Sequence, residues 1–137
     1  MKRATRAWVR KAESDYAAAV QLGRSDHPFH DERCFHCQQS AEKFLKGLLE
    51  ELGHTVPKTH DLITLQKLLL PHHPTLRGLR RGLDFLTDFA VGIRYPGEDA
   101  TKRQARAALG WAKRVRKACR DLLGIKAATR RKKKPPK

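Results

Sequence analysis

Several polar residues of this 137-residue chain have types and spacings that could do chemistry. Histidine and cysteine cluster as His27-x2-His30-x3-Cys34-x2-Cys37. Two imidazoles and two thiolates are a donor set that tetrahedral zinc accepts. The long spacer that usually separates the two ligand pairs is missing, however. Both cysteines also fall on the apolar side of a helix, where small soft residues pack well. The expected role is core packing beside a polar loop, with no metal and no other cofactor. His36 is near both thiols in sequence but points to the opposite side, so a Cys–His nucleophile lacks hydrogen-bond reach.

Carboxylates and cations offer a second kind of site. Trp8, Ala12, Asp15, Ala19 and Leu22 repeat at intervals of four, three, four and three, which places Asp15 inside an apolar stripe. A carboxylate there needs a partner to offset its desolvation. Either a pair within the bundle or a site carboxylate facing a cleft would meet that need, and the spacing leaves both open. Thr59-His60-Asp61-Leu62 opens a helix. Thr59 or Asp61 can cap it, and His60 sits where free backbone N–H groups attract phosphate. Arg94-Tyr95-Pro96 closes another helix, because Pro96 forces a turn. Arg94 can then reach back to a carboxylate or a phosphate. His36 and His60 are candidate bases, and Arg94 is a candidate charge stabiliser. The glycines are scattered and form no phosphate loop.

The elements that must position these residues read as helices. Leu (17) and Ala (16) far outnumber Val (5) and Ile (3), which favours helix over sheet. Turn residues at 23–28, 53–57, 71–74 and 96–97 divide the chain into helical stretches at about 3–23, 31–52, 61–70, 75–93 and 99–123. At about 100° per residue, the second stretch puts Cys34, Cys37, Ala41, Phe44, Leu45, Leu48, Leu49 and Leu52 on one side. His36, Gln39, Ser40, Lys43, Lys46 and Glu50 fall on the other, with Gln38 and Glu42 on the seam one turn apart. Gly53 follows as a left-handed cap. In the fifth stretch Ala100, Ala107, Ala108, Trp111, Ala112, Val115, Ala118, Cys119, Leu122 and Leu123 oppose Lys102, Arg103, Arg106, Lys113, Arg114, Lys117 and Arg120. The expected fold is all-α, an up-and-down bundle of four to five helices over residues 1–124. No apolar run exceeds five residues, which is too short to span a bilayer. Met1 to Arg6 lead into no apolar signal core, so a cytoplasmic setting is expected.

Charge is uneven. Residues 1–100 carry 15 basic and 13 acidic side chains; residues 101–137 carry 15 basic and one acidic. Residues 125–137 hold almost nothing to bury and are expected to form a disordered basic tail. Arg106, Lys113 and Lys117, continued by Arg130, Arg131, Lys132, Lys133 and Lys134, form a candidate nucleic-acid surface that would act by counterion release. Its alternative is a solvated helix face.

The ordered set Asp15-Tyr16, then Gln38-Gln39-x2-Glu42-Lys43-x2-Lys46, then Lys58-Thr59-His60-Asp61-Leu62, then Arg94-Tyr95-Pro96 resembles the HEPN domain family over about residues 5–123. The resemblance implies a helical bundle, often a homodimer. It also implies a frequent partner, a minimal nucleotidyltransferase, with the pair acting as a toxin–antitoxin-like module. Carried over by position, Asp15, Gln39, Glu42, Lys43, Lys46, His60, Asp61, Arg94 and Tyr95 form the expected ligand-binding set for a nucleotide or RNA. The family's ribonucleases carry Arg, four to six residues, then His on a late helix. Here the corresponding positions after Arg94 are Asp99, Ala100 and Thr101, and Arg24-x5-His30 lies in the first loop instead. The expected role is therefore a binding partner rather than an enzyme. A degenerate ribonuclease and a nucleic-acid-binding scaffold are the alternatives.

Overall fold

Leucine and alanine at helical spacing build five α-helices in the described part of the computed structural model, residues 1–92 and 94–126. They are α1 (Arg3–Leu22), α2 (His30–Glu51), α3 (Leu62–Leu69), α4 (Arg80–Thr87) and α5 (Lys102–Leu122), with a 3-10 segment at Pro74–Leu79 before α4. No strand occurs among the described residues. Nor is any described helix long and apolar enough to cross a membrane. The expected tail cations Arg130 to Lys134 lie outside the described residues.

Local chemistry sets the ends. Asp61 caps α3 by accepting from the Ile63 N–H at 3.0 Å. Thr101 and Gln104 form a reciprocal capping box on α5. Gly53 and Gly124 follow α2 and α5 with φ of +73° and +71°, a region glycine enters without a Cβ clash.

α2 is the central helix. α1 lies antiparallel on one side of it: Thr5 Oγ1 donates to Glu51 near one end, and Ser40 Oγ donates to the Ala12 carbonyl near the middle, both at 2.9 Å. α5 and α3 cover other sides. The core joins Phe44, Leu45, Leu48 and Leu49 of α2 to Leu62, Leu65 and Leu69 of α3, Leu83 and Leu86 of α4, and Ala108, Ala112, Val115 and Cys119 of α5. α5 also binds α1 through Glu13, which accepts two bonds from Arg116 (2.8 and 3.0 Å) and one from Arg120 (3.3 Å).

Three expectations of sidedness and length need correction. Ser40 and Lys46, expected on the polar side of α2, are buried because α1 covers that side. On α5 it is Ala105 that is buried, whereas Ala107 is exposed and Arg120 is drawn into the Glu13 pair. The stretch expected to run as one helix over 75–93 is a 3-10 turn followed by an eight-residue α-helix that ends at Thr87. Pro74, Gly78 and Gly82 weaken its start. At its end the Thr87 hydroxyl donates back to the Leu83 carbonyl (2.8 Å) and accepts from the Leu62 N–H (3.2 Å). Arg94 therefore follows a loop rather than closing a helix.

Gly82 is required by packing: a Cβ there would lie 2.1 Å from Cε3 of Trp111. Gly82→Ala should cost about 1–3 kcal/mol through overpacking. Gly110→Ala, on the exposed side of α5 with nothing within 4 Å of the added carbon, should stabilise by up to about 1 kcal/mol. Urea midpoints of the two variants should move in opposite directions. A Gly82→Ala midpoint at or above that of the parent chain would contradict the packing of α4 on α5.

Candidate functional site

The polar residues of α2 resolve into two adjoining clusters, each a carboxylate shared by a lysine and a histidine. In the first, Asp15 projects from α1. Its Oδ1 meets Nδ1 of His36 at 2.8 Å, and its Oδ2 accepts from Lys43. The carboxylate inside the apolar stripe of α1 is thus satisfied by a pair within the bundle, one of the two solutions open to the sequence. Phe35 stands edge-on to His36, with ring centroids 5.6 Å apart.

The second cluster centres on Glu42, whose side chain is only 5% exposed. It receives Nε2 of Gln38 at 3.1 Å, Nδ1 of His60 at 2.9 Å and Nζ of Lys46 at 3.0 Å. Burial pushes the Glu42 carboxyl up, but the hydrogen bonds from Gln38, His60 and Lys46, with the Lys46 charge, outweigh it and hold the group below the usual carboxylate value. Glu42 is therefore ionised at neutral pH. Lys46 is itself 7% exposed and lies 5.8 Å from the Trp8 ring centroid. Its charge is buried against a carboxylate and an aromatic face.

The seam pair foreseen on α2 thereby becomes a relay. Gln39 donates to Gln38 Oε1 at 2.7 Å, and Gln38 Nε2 also reaches the His60 carbonyl at 3.3 Å. Gln38 belongs to the site although the sequence reading left it out. Its position one turn before Glu42 was the available signal.

The chemical consequence lies in His60. An ionised carboxylate only accepts, so the proton facing Glu42 belongs to Nδ1 of the imidazole. His60 is 66% exposed, which leaves its Nε2 to solvent. A buried anion thus orients an exposed ring that can accept a proton or, once protonated, donate to an oxyanion. The two lysines present no free charge beside it, because Asp15 and Glu42 already engage them.

The remaining members of the expected set are spent or stand apart. The Asp61 carboxylate caps α3 and also accepts from Thr64. Arg94 stacks on Phe89, 4.7 Å from the ring centroid, and donates to the Asp88 carbonyl at 3.2 Å. Asp88 adjoins Thr87, whose hydroxyl holds Leu62 two residues beyond His60. Arg94 bonds to neither cluster. Tyr95 is 67% exposed. On α5, Arg106, Lys113 and Lys117 are exposed, and Lys117 pairs with Asp121 at 2.9 Å.

The zinc inventory does not assemble. Among the described residues no three His, Cys, Asp or Glu side chains are placed to hold a metal ion. Cys34 and Cys37 are fully buried, and burial pushes their thiols up to about 11 and about 12. They are neutral packing groups at physiological pH. His27 is exposed and packs against Phe29, ring centroids 4.5 Å apart.

Comparison with known proteins adds a family and two structures. A family model described as HEPN domain matches residues 5–122. The chain is similar to TT1696 from Thermus thermophilus, with 25% identity and a TM-score of 0.73 over 88% of this chain and 98% of that one. It is similar also to ST0689, an archaeal HEPN homologue, with 27% identity and a TM-score of 0.70 over 92% of this chain and all of that one. No curated protein matches.

Replacing Glu42 with Gln removes the anion and leaves the Lys46 cation buried, so Glu42→Gln should lower stability at neutral pH by about 3 kcal/mol or more. The folded-state pKa of Glu42 is depressed, so its contribution is present above the ordinary carboxylate range and is lost as pH falls through the folded value. Denaturation from neutral pH down to below about pH 4 should show the gap between parent and variant narrowing on the acid side. A gap that stays constant with pH would contradict an ionised Glu42.

Proposed function

The chain belongs to the HEPN domain family, and on that premise we propose that it is the nucleotide-binding partner of a minimal nucleotidyltransferase, the two forming a toxin–antitoxin-like module in the cytoplasm. The chain acts as a homodimer and binds a phosphate-bearing ligand rather than transforming it. The observation that carries this reading is the exposed His60 imidazole held at Nδ1 by buried Glu42. Its outward Nε2 accepts from a ribose or base donor, or donates to a phosphate oxygen once protonated. Preorganisation by Glu42 lowers the entropic cost of that contact. Arg94, after α4, supplies a guanidinium that no carboxylate neutralises among the described contacts. The ordered motif set, now spread over α1, α2, the start of α3 and the loop after α4, supports the same reading.

A second reading, a scaffold that holds nucleic acid by charge, is favoured by one observation. Lys102, Arg103, Arg106, Lys113 and Arg114 are exposed along α5. Such a row binds polyanions without reading sequence.

One titration series separates the two. Calorimetry with nucleoside mono-, di- and triphosphates should show saturable binding that His60→Ala weakens at least tenfold. The transferase encoded beside this chain should co-purify with it. Absence of both results would overturn the first reading. If Lys113→Glu leaves nucleotide binding intact but lowers the salt slope of RNA binding by about one, the α5 surface acts separately. Cleavage of RNA that His60→Ala and Arg94→Ala both abolish would replace binding with catalysis.

A further inference from the structure

We propose that the cavity between the α1–α2 connection and the first turn of α5 is an oxyanion site that takes the terminal phosphate of a phosphate monoester. The cavity encloses about 240 Å³, and Gly23, Ser25, His30, Arg33 and Lys102 contribute to its wall. It shares no residue with the Glu42–His60 cluster and does not depend on the function proposed for that cluster.

Two residues of this wall each carry an enclosed nitrogen with no hydrogen-bond partner: Arg33 at Nε and His30 at Nδ1. Leaving a buried polar group unmade costs about 1–3 kcal/mol, and more when the group is charged. Native structures rarely carry that cost without a partner, and a guanidinium N–H, which can only donate, specifies an acceptor. Among the described residues, Lys46 is matched by Glu42, and Arg116 and Arg120 by Glu13, whereas Arg33 has no carboxylate partner.

The local backbone keeps room for such a guest. The guanidinium of Arg33 lies over Gly23, where an added Cβ would stand 2.7 Å from Nη2 and 2.8 Å from Cζ. Asp31, the acid two residues before Arg33, is turned away and accepts from the Ala100 N–H at 2.7 Å. That bond anchors the segment leading into α5 and brings Lys102 to the cavity. Asp26 is the acid among the lining residues. Ser25 Oγ accepts from the His27 N–H at 3.3 Å, so its hydroxyl proton remains available to a guest.

Size and charge define the ligand class. Drug-sized pockets run to about 300–1,000 Å³, so this smaller space suits a phosphate group rather than a whole nucleotide. An arginine fork, an ammonium and an imidazole around one space favour a tetrahedral oxyanion, bound by charge-assisted hydrogen bonds. The phosphate can come from a free mononucleotide or from the 5′ end of an RNA, with the rest of the molecule outside.

The test uses the full chain. Adding inorganic phosphate should shift the ring signals of His30 in NMR spectra, in the His60→Ala variant as well as in the parent. Adenosine monophosphate should compete with it. A 5′-phosphorylated oligoribonucleotide that competes better than its 5′-hydroxyl twin would assign the RNA end as source; equal competition by the twins would assign the free nucleotide. Arg33→Gln and Lys102→Gln should each weaken phosphate binding at least tenfold, with Arg33→Lys recovering part of it. Lys102→Gln lies at an exposed position and tests the site even if Arg33→Gln fails to fold. Unmoved His30 signals at millimolar phosphate, or binding unchanged by Lys102→Gln, would overturn the proposal.

Discussion

A carboxylate buried on the central helix governs this structure. Glu42 can stay ionised there only because Gln38, Lys46 and His60 all donate to it. Lys46 can be buried only because Glu42 is its partner. A hydrophobic replacement of such a pair is often as stable or more so. What the pair adds is position. Its donors come from α2 itself and from the loop before α3, so the anion registers that loop on the helix. Asp15 does the same between α1 and α2.

Pairing also decides which charges remain for other molecules. Lys43, Lys46, Arg116 and Arg120 are engaged by carboxylates inside the bundle. Among the described residues, the cations that no carboxylate pairs include Arg94, Arg33 and Lys102 at the cavity by Gly23, and the exposed row of α5. A chain so rich in arginine and lysine could bind polyanions anywhere on its surface. Internal pairing withdraws four of those charges, Lys43, Lys46, Arg116 and Arg120, from that surface.

Much of this was legible in the residues. The stripes of α1, α2 and α5, a cap for α3 at Thr59 or Asp61 and the adjacency of Gln38 and Glu42 follow from spacing alone. The need of Asp15 for a partner followed from its place among apolar residues, although the identity of His36 and Lys43 did not. A helical wheel assumes one covered side, and α2 is covered on several, so Ser40 and Lys46 read as solvent-facing when α1 lies over them. On α5 the buried side centres on Ala108, Ala112, Val115 and Cys119, which takes in Ala105 and leaves Ala107 exposed. The break of 75–93 at Thr87 depends on a hydroxyl that bonds Leu62, 25 residues away. The cavity by Gly23 depends on a guanidinium resting on a glycine ten residues earlier, which neither residue signals by itself.

The claim on which the account turns is that ionised Glu42 fixes the His60 ring with its proton on Nδ1 and its Nε2 outward. Nitrogen-15 NMR of the His60 side chain in the full chain, recorded where the ring is neutral, reads this directly. The account predicts the Nδ1–H tautomer in the parent, giving way to the Nε2–H form or to a mixture in Glu42→Gln. A neutral His60 protonated at Nε2 in the parent chain, unchanged by the substitution, would contradict it.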